Sequence, residues 1–113
     1  MQRGDVYWFE PDPVVGSEQA GRRPAVLLSR DAINRASPVV VIVPLTTYRG
    51  QRLYPSDVIV RAPEGGVSQD SVALGLHIRS IDKRRLGAQL GRVGPATLVQ
   101  IEQGLLQVLD IQP

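Results

Sequence analysis

Apolar residues along this chain come in short runs broken by turn residues, and a helical spacing appears only near the end. Residues 4–10, Gly-Asp-Val-Tyr-Trp-Phe-Glu, are rich in β-branched and aromatic types, with Val6 and Trp8 on one face. They predict a first strand, closed by Pro11, Pro13 and Gly16. Residues 24–29 predict a second strand, with its proline at the start, where a missing N–H is tolerated. Residues 31–36 fit a helical turn or a wide loop. The run 39–46, Val-Val-Val-Ile-Val-Pro-Leu-Thr, is apolar without alternation and predicts a strand buried on both faces. Pro44 suggests a bulge or an edge near its end. Shorter strands follow at 57–61, 71–76, 77–81 and 86–93, with a break at Gly75 and a turn or helical turn at 82–85.

After Gly94 the period changes. Pro95 suits the first position of a helix, and Leu98, Ile101, Leu105 and Val108 form an apolar stripe at helical spacing. Gly104 interrupts that helix at a cost of about 1 kcal/mol relative to Ala, and close packing is one reason to keep it. Many short strands and one terminal helix predict a mainly β (α+β) fold, a small antiparallel barrel or folded sheet with short helices. The 113 residues suit a single domain, 1–113.

Composition narrows the class. With 42% hydrophobic residues the chain can bury a core. It has no Cys, which excludes a disulfide framework and any thiolate metal site. One His and no tight carboxylate cluster leave no metal site or cofactor expected. No apolar run approaches the roughly 18 residues of a membrane span, and the first residues carry no signal core; a cytoplasmic protein is the expectation.

Net charge is only +2, but the basic residues cluster, and all but Lys83 are Arg. Arg22, Arg23, Arg30, Arg35, Arg49 and Arg52 face Asp31 alone within residues 21–52, and Arg79, Lys83, Arg84, Arg85 and Arg92 face Asp82 alone within 79–92. The guanidinium fork suits bidentate phosphate contacts, so a phosphate-bearing partner competes with a merely solvated basic surface.

Residues 16–24, Gly-Ser-Glu-Gln-Ala-Gly-Arg-Arg-Pro, join the first two strands and hold Glu18 and Arg23 in one loop. If strands two and three run antiparallel, Thr46 lies near Arg23. An RNA substrate brings its own nucleophile, the 2′-OH. Arg23 could then neutralise a pentacoordinate phosphorane, Thr46 could donate to a non-bridging oxygen, and Glu18, with its pKa raised, could take the 2′-OH proton. Tyr48, Arg49, Arg52 and Tyr54 interleave aromatic and cationic groups, which suits stacking on bases and gripping phosphates. Plainer readings stand beside these: Thr46 and Thr47 as β-formers, Tyr48 and Tyr54 as rim packing, and His77 as structural.

Five ordered blocks carry a resemblance. Residues 3–8 (Arg-Gly-Asp-Val-Tyr-Trp), 16–26, 43–47 (Val-Pro-Leu-Thr-Thr), 70–74 (Asp-Ser-Val-Ala-Leu) and 78–86 together resemble the MazF/PemK (Kid) toxin family of type II toxin–antitoxin modules, along nearly the whole chain. The resemblance implies an SH3-like barrel and a homodimer. The implied activity is metal-independent, sequence-selective endoribonuclease cleavage of single-stranded RNA, chiefly mRNA, giving a 2′,3′-cyclic phosphate and a 5′-OH. It also implies a cognate antitoxin that lays an extended acidic segment over the RNA site. By position, the catalytic residues fall on Arg23, Thr46 and Glu18, with Glu18 either the base or an anchor for Arg23. Arg22, Ser17, Gln19, Thr47, Tyr48, Arg49, Arg52, Tyr54 and Arg79 are the expected substrate contacts. His77 departs from the Gln common at that position. The competing reading is a non-enzymatic poison of CcdB type, on a similar architecture, binding a protein target such as gyrase; the presence of both Arg23 and Thr46 favours the enzyme.

Overall fold

The computed structural model describes residues 1–10 and 22–112. Seven strands are present among the described residues: β1 (Asp5–Phe9), β2 (Arg23–Leu27), β3 (Val39–Thr47), β4 (Asp57–Val60), β5 (Ser71–Leu74), β6 (Arg79–Asp82) and β7 (Leu86–Arg92). A short helix α1 (Asp31–Ala36) precedes β3, and α2 (Pro95–Leu109) closes the chain. Every expected strand exists, with ends moved by a few residues. The strand expected from His77 starts at Arg79, because Gly75–His77 winds into a 3-10 turn.

All pairings are antiparallel, in the order β4-β5-β3-β2-β1-β7, with β6 added to β3. The nine-residue β3 holds the arrangement together. Its first part, Val39 to Ile42, pairs with β6, and its last part, Leu45 to Thr47, pairs with β5. Pro44 falls in the interval between these two ladders, where one flank of the strand has no partner to lose a hydrogen bond. A residue without an N–H is therefore tolerated in the middle of a central strand.

The sheet coils around two apolar layers. Val6, Val26, Val43, Leu45, Val60, Ala73 and Ile101 belong to one; Tyr7, Phe9, Ala25, Leu27, Val40, Ile42 and Ile81 form the other. Strands β1, β2 and β3 contribute alternate residues to both, which is why β3 reads as an unbroken apolar run. No ladder joins β7 to β4 among the described residues. The 3-10 turn Glu64–Gly66 closes that seam by packing against β7. A Cβ built on Gly66, whose φ is +80°, would meet the Leu90 carbonyl oxygen at 2.1 Å, so only glycine fits. The expected SH3-like barrel is thus a barrel-like sheet, sealed partly by backbone packing.

Helix α2 begins as expected, with Pro95 in its first turn behind Gly94. Ile101 is buried in the first layer, with Leu98 and Leu105 against it; full burial of a side chain this size contributes about 2 kcal/mol. Gly104 has a packing reason: a Cβ there would lie 3.0 Å from the Ser56 carbonyl oxygen. An ion pair between Arg3 and Glu102, 2.6 Å, ties α2 to the start of the chain. Among the described residues no helix is long and apolar enough to cross a membrane.

Candidate functional site

Strands β2 and β3 pair Ala25 with Pro44 and Val26 with Val43. Carried two residues further, that register sets Arg23 opposite Thr46. Opposed residues of an antiparallel pair have Cα atoms about 4.5–5.5 Å apart and send their side chains to the same face. A guanidinium and a hydroxyl can therefore converge on one anionic group. On the flanks of this pair, β1 sets Trp8 beside Pro24, and β5 sets Val72 and Ser71 beside Thr46 and Thr47.

These strand ends border a groove of about 660 Å³. Trp8, Arg22, Arg23 and Pro24 line one side; Leu45, Thr46, Thr47 and Arg49 run along it; Gly66, Val67, Ser68, Gln69, Ser71 and Leu90 complete it. Among the described lining residues there are three guanidinium groups and no carboxylate, an environment that favours an anionic ligand. Arg23 is exposed and forms no ion pair with a described residue. Arg22 lies over the Trp8 ring, 4.8 Å from its centroid, a cation–π contact.

The segment before β5 is pinned. Asp70 accepts hydrogen bonds from the Ala62 amide at 2.9 Å and from Arg61 at 2.8 Å, and its carbonyl accepts from the Tyr48 amide at 2.8 Å. The hydrogen bond from Arg61, followed by that from the Ala62 amide, holds the Asp70 carboxyl below the usual carboxylate range. Ser71 Oγ donates to the Gln69 carbonyl at 2.9 Å.

Of the residues singled out from sequence, Arg22, Arg23, Thr46, Thr47 and Arg49 share this groove. Glu18, Ser17 and Gln19 lie outside the described residues. Tyr48 turns away, its ring beneath Arg61 at 5.9 Å. Arg52 and Tyr54 line a separate hollow of about 220 Å³ with Leu76 and His77, and Arg79 sits on β6 opposite Ile42. The charge interleaving of residues 48–54 is thus divided between three surfaces, because the chain crosses from the end of β3 to β4. Trp8, Ser68, Gln69 and Leu90 were not anticipated as lining. Trp8, an aromatic at the alternate position of the run Tyr7-Trp8-Phe9, is a signal sequence alone could have flagged; Gln69 and Leu90 have no local signal, since the fold alone brings them here.

Comparisons with known proteins bear on the whole chain. The family described as PemK-like, MazF-like toxin of type II toxin-antitoxin system matches residues 2–109. Endoribonuclease EndoA of Bacillus subtilis is 35% identical over 105 residues, covering 93% of this chain and 90% of the relative. A solved MazE-MazF structure from Deinococcus radiodurans superposes with a TM-score of 0.83 at 32% identity, covering 99% of this chain and 97% of that one. An endoribonuclease in complex with its cognate antitoxin from mycobacterial species gives a TM-score of 0.79 at 30% identity, covering 100% and 98%.

Proposed function

This chain belongs to the PemK-like, MazF-like toxins of type II toxin–antitoxin systems, and from that premise we propose how its groove works. The protein is an endoribonuclease, and its substrate is single-stranded RNA, mRNA above all. The ribose 2′-OH attacks the adjacent phosphorus, the bond to the 5′ oxygen breaks, and the 2′-OH proton is balanced by one delivered to that leaving oxygen. The products are a 2′,3′-cyclic phosphate and a 5′-OH. The nucleophile belongs to the substrate, so the protein needs to supply charge stabilisation and proton transfer, and no metal is required for either.

Arg23 carries the negative charge that builds on the phosphorane, the contribution usually largest in such reactions. Thr46 donates its hydroxyl to a non-bridging oxygen. Glu18 takes the 2′-OH proton or anchors Arg23, and the two roles separate experimentally. A base gives a pH–rate profile whose acidic limb disappears in Glu18→Gln; an anchor leaves the limb in place and lowers the plateau. Arg22, Thr47 and Arg49 hold the RNA backbone beside the scissile phosphate, and Ser17 and Gln19 reach it from the loop. Tyr48, Arg52, Tyr54 and Arg79 lie beyond the groove and touch only flanking nucleotides of a longer strand.

One observation carries this reading: Arg23 and Thr46 both line a cationic groove with no carboxylate among its described lining residues, and the β2–β3 register, continued two residues past Ala25–Pro44, would oppose them. Such a groove also suits the extended acidic segment of a cognate antitoxin. The protein works as a homodimer in the cytoplasm. The named endoribonuclease relatives leave the non-enzymatic, gyrase-binding alternative unfavoured.

The test is incubation of the pure protein with single-stranded RNA in EDTA, followed by analysis of the fragment ends. Cleavage leaving cyclic phosphate and 5′-OH is expected. Folded protein that cuts no sequence in a diverse RNA pool overturns the ribonuclease reading, and cleavage abolished by EDTA overturns the metal-independent one.

A further inference from the structure

Sequence-selective cleavage needs a group that reads base edges, and the groove's guanidiniums suit phosphates instead. Phosphate contacts fix position without carrying sequence information, whereas base edges are read by hydrogen bonds of fixed donor–acceptor pattern. Among the described lining residues, Gln69 is the one primary carboxamide. That group presents an N–H donor beside an oxygen acceptor, the pattern that pairs bidentately with a base edge. Its side chain is exposed and makes no hydrogen bond to a described residue.

The backbone that follows it is fixed. The Gln69 carbonyl accepts from Ser71 Oγ, and the next residue, Asp70, is held through Arg61, the Ala62 amide and the Tyr48 amide. A pinned backbone leaves only the side chain's own rotamers to be ordered when it binds, which favours selective readout. Its place across the groove also fits. Residues 67–71 lead into β5, which flanks Thr46 on the side opposite Arg23. A base attached beside a phosphate held by Arg23 and Thr46 would extend onto this segment.

We propose that Gln69 is a specificity-determining residue that reads the edge of one RNA base next to the cleaved phosphate. This rests on the ribonuclease reading above and deepens it. Native, Gln69→Ala and Gln69→Glu proteins are incubated with a randomised single-stranded RNA pool, and fragment ends are sequenced to give the preference at each position around the cut. The expected result is a loss of preference of about tenfold at a single position in Gln69→Ala. In Gln69→Glu the preferred base there should change, because a carboxylate only accepts. Unchanged preferences in both variants overturn the proposal while leaving the nuclease intact. A uniform rate loss at all sites, with native thermal unfolding, also overturns it by making Gln69 a positioning residue. A native protein that cuts nothing fails at the earlier reading, a distinguishable outcome.

Discussion

Gly66 and Leu90 meet backbone to backbone: a Cβ on Gly66 would stand 2.1 Å from the Leu90 carbonyl oxygen. This contact closes the seam between β7 and the turn before β5, and both residues border the groove. Gly66→Ala must therefore strain a left-handed backbone and push β7 away. The expected loss is about 2 kcal/mol or more, read as a lower urea midpoint at an unchanged slope. A midpoint equal to native contradicts the packing described.

Arg23→Ala should lower the rate of RNA cleavage by about 100- to 1,000-fold, as removal of a preorganised electrostatic group does. Thr46→Val, which keeps shape and removes the donor, should cost about tenfold to a hundredfold, the worth of one hydrogen bond to a charged oxygen. Thr46→Ser should recover most of it. Single-turnover rates at saturating RNA separate these effects from binding, and equal rates in native and Arg23→Ala proteins would remove Arg23 from the mechanism.

Trp8 is the chain's one tryptophan, and it lines the groove beneath Arg22. Its fluorescence should report occupancy. Titration with a non-cleavable single-stranded RNA should change the emission, more steeply at low salt than at high salt, because the groove's arginines displace counterions from the strand. Arg22→Ala should shift the emission of the free protein. Saturable RNA binding with unaltered Trp8 emission would place the RNA elsewhere.

Acid stability follows from two carboxylates. The hydrogen bond from Arg84 lowers the Asp82 carboxyl to about 2, and Asp70 is lowered in the same direction, chiefly by Arg61. Folded values below the ordinary value of about 3.9 mean stabilisation that is complete above it and lost as pH falls through the folded value. For Asp82 the window runs from about pH 4 to about pH 2. Asp82→Asn should therefore melt slightly below native protein at pH 7 and together with it at pH 2; a gap independent of pH would assign the effect to something other than ionisation. Asp70→Asn should behave likewise on the acid side.

The sequence foretold the strands because their composition is local: the unbroken apolar run of β3 comes from burial on both faces, and the stripe of α2 from one helix face. Gly104 advertised a close contact but not its partner, Ser56. For the site, Arg23 and Thr46 could be joined by assuming one antiparallel pairing. Tyr48, Arg52 and Tyr54 could not be placed by their spacing, because each sits where the chain turns between strands. Trp8 and Gln69 arrive through pairings on opposite sides of the Arg23–Thr46 pair. Such neighbours depend on register, which has no counterpart in the order of residue types.

The lining residues run from Trp8 to Leu90, and they include β7, which pairs with β1 from the other end of the chain. No fragment ending before β7 contains the whole site. A chain ending before β7 lacks Leu90 and the surface that Gly66 packs against. Long-range pairings of this kind also form slowly compared with local ones. The groove is complete only once β7 has docked on β1, and until then its arginines lack the wall that Leu90 supplies.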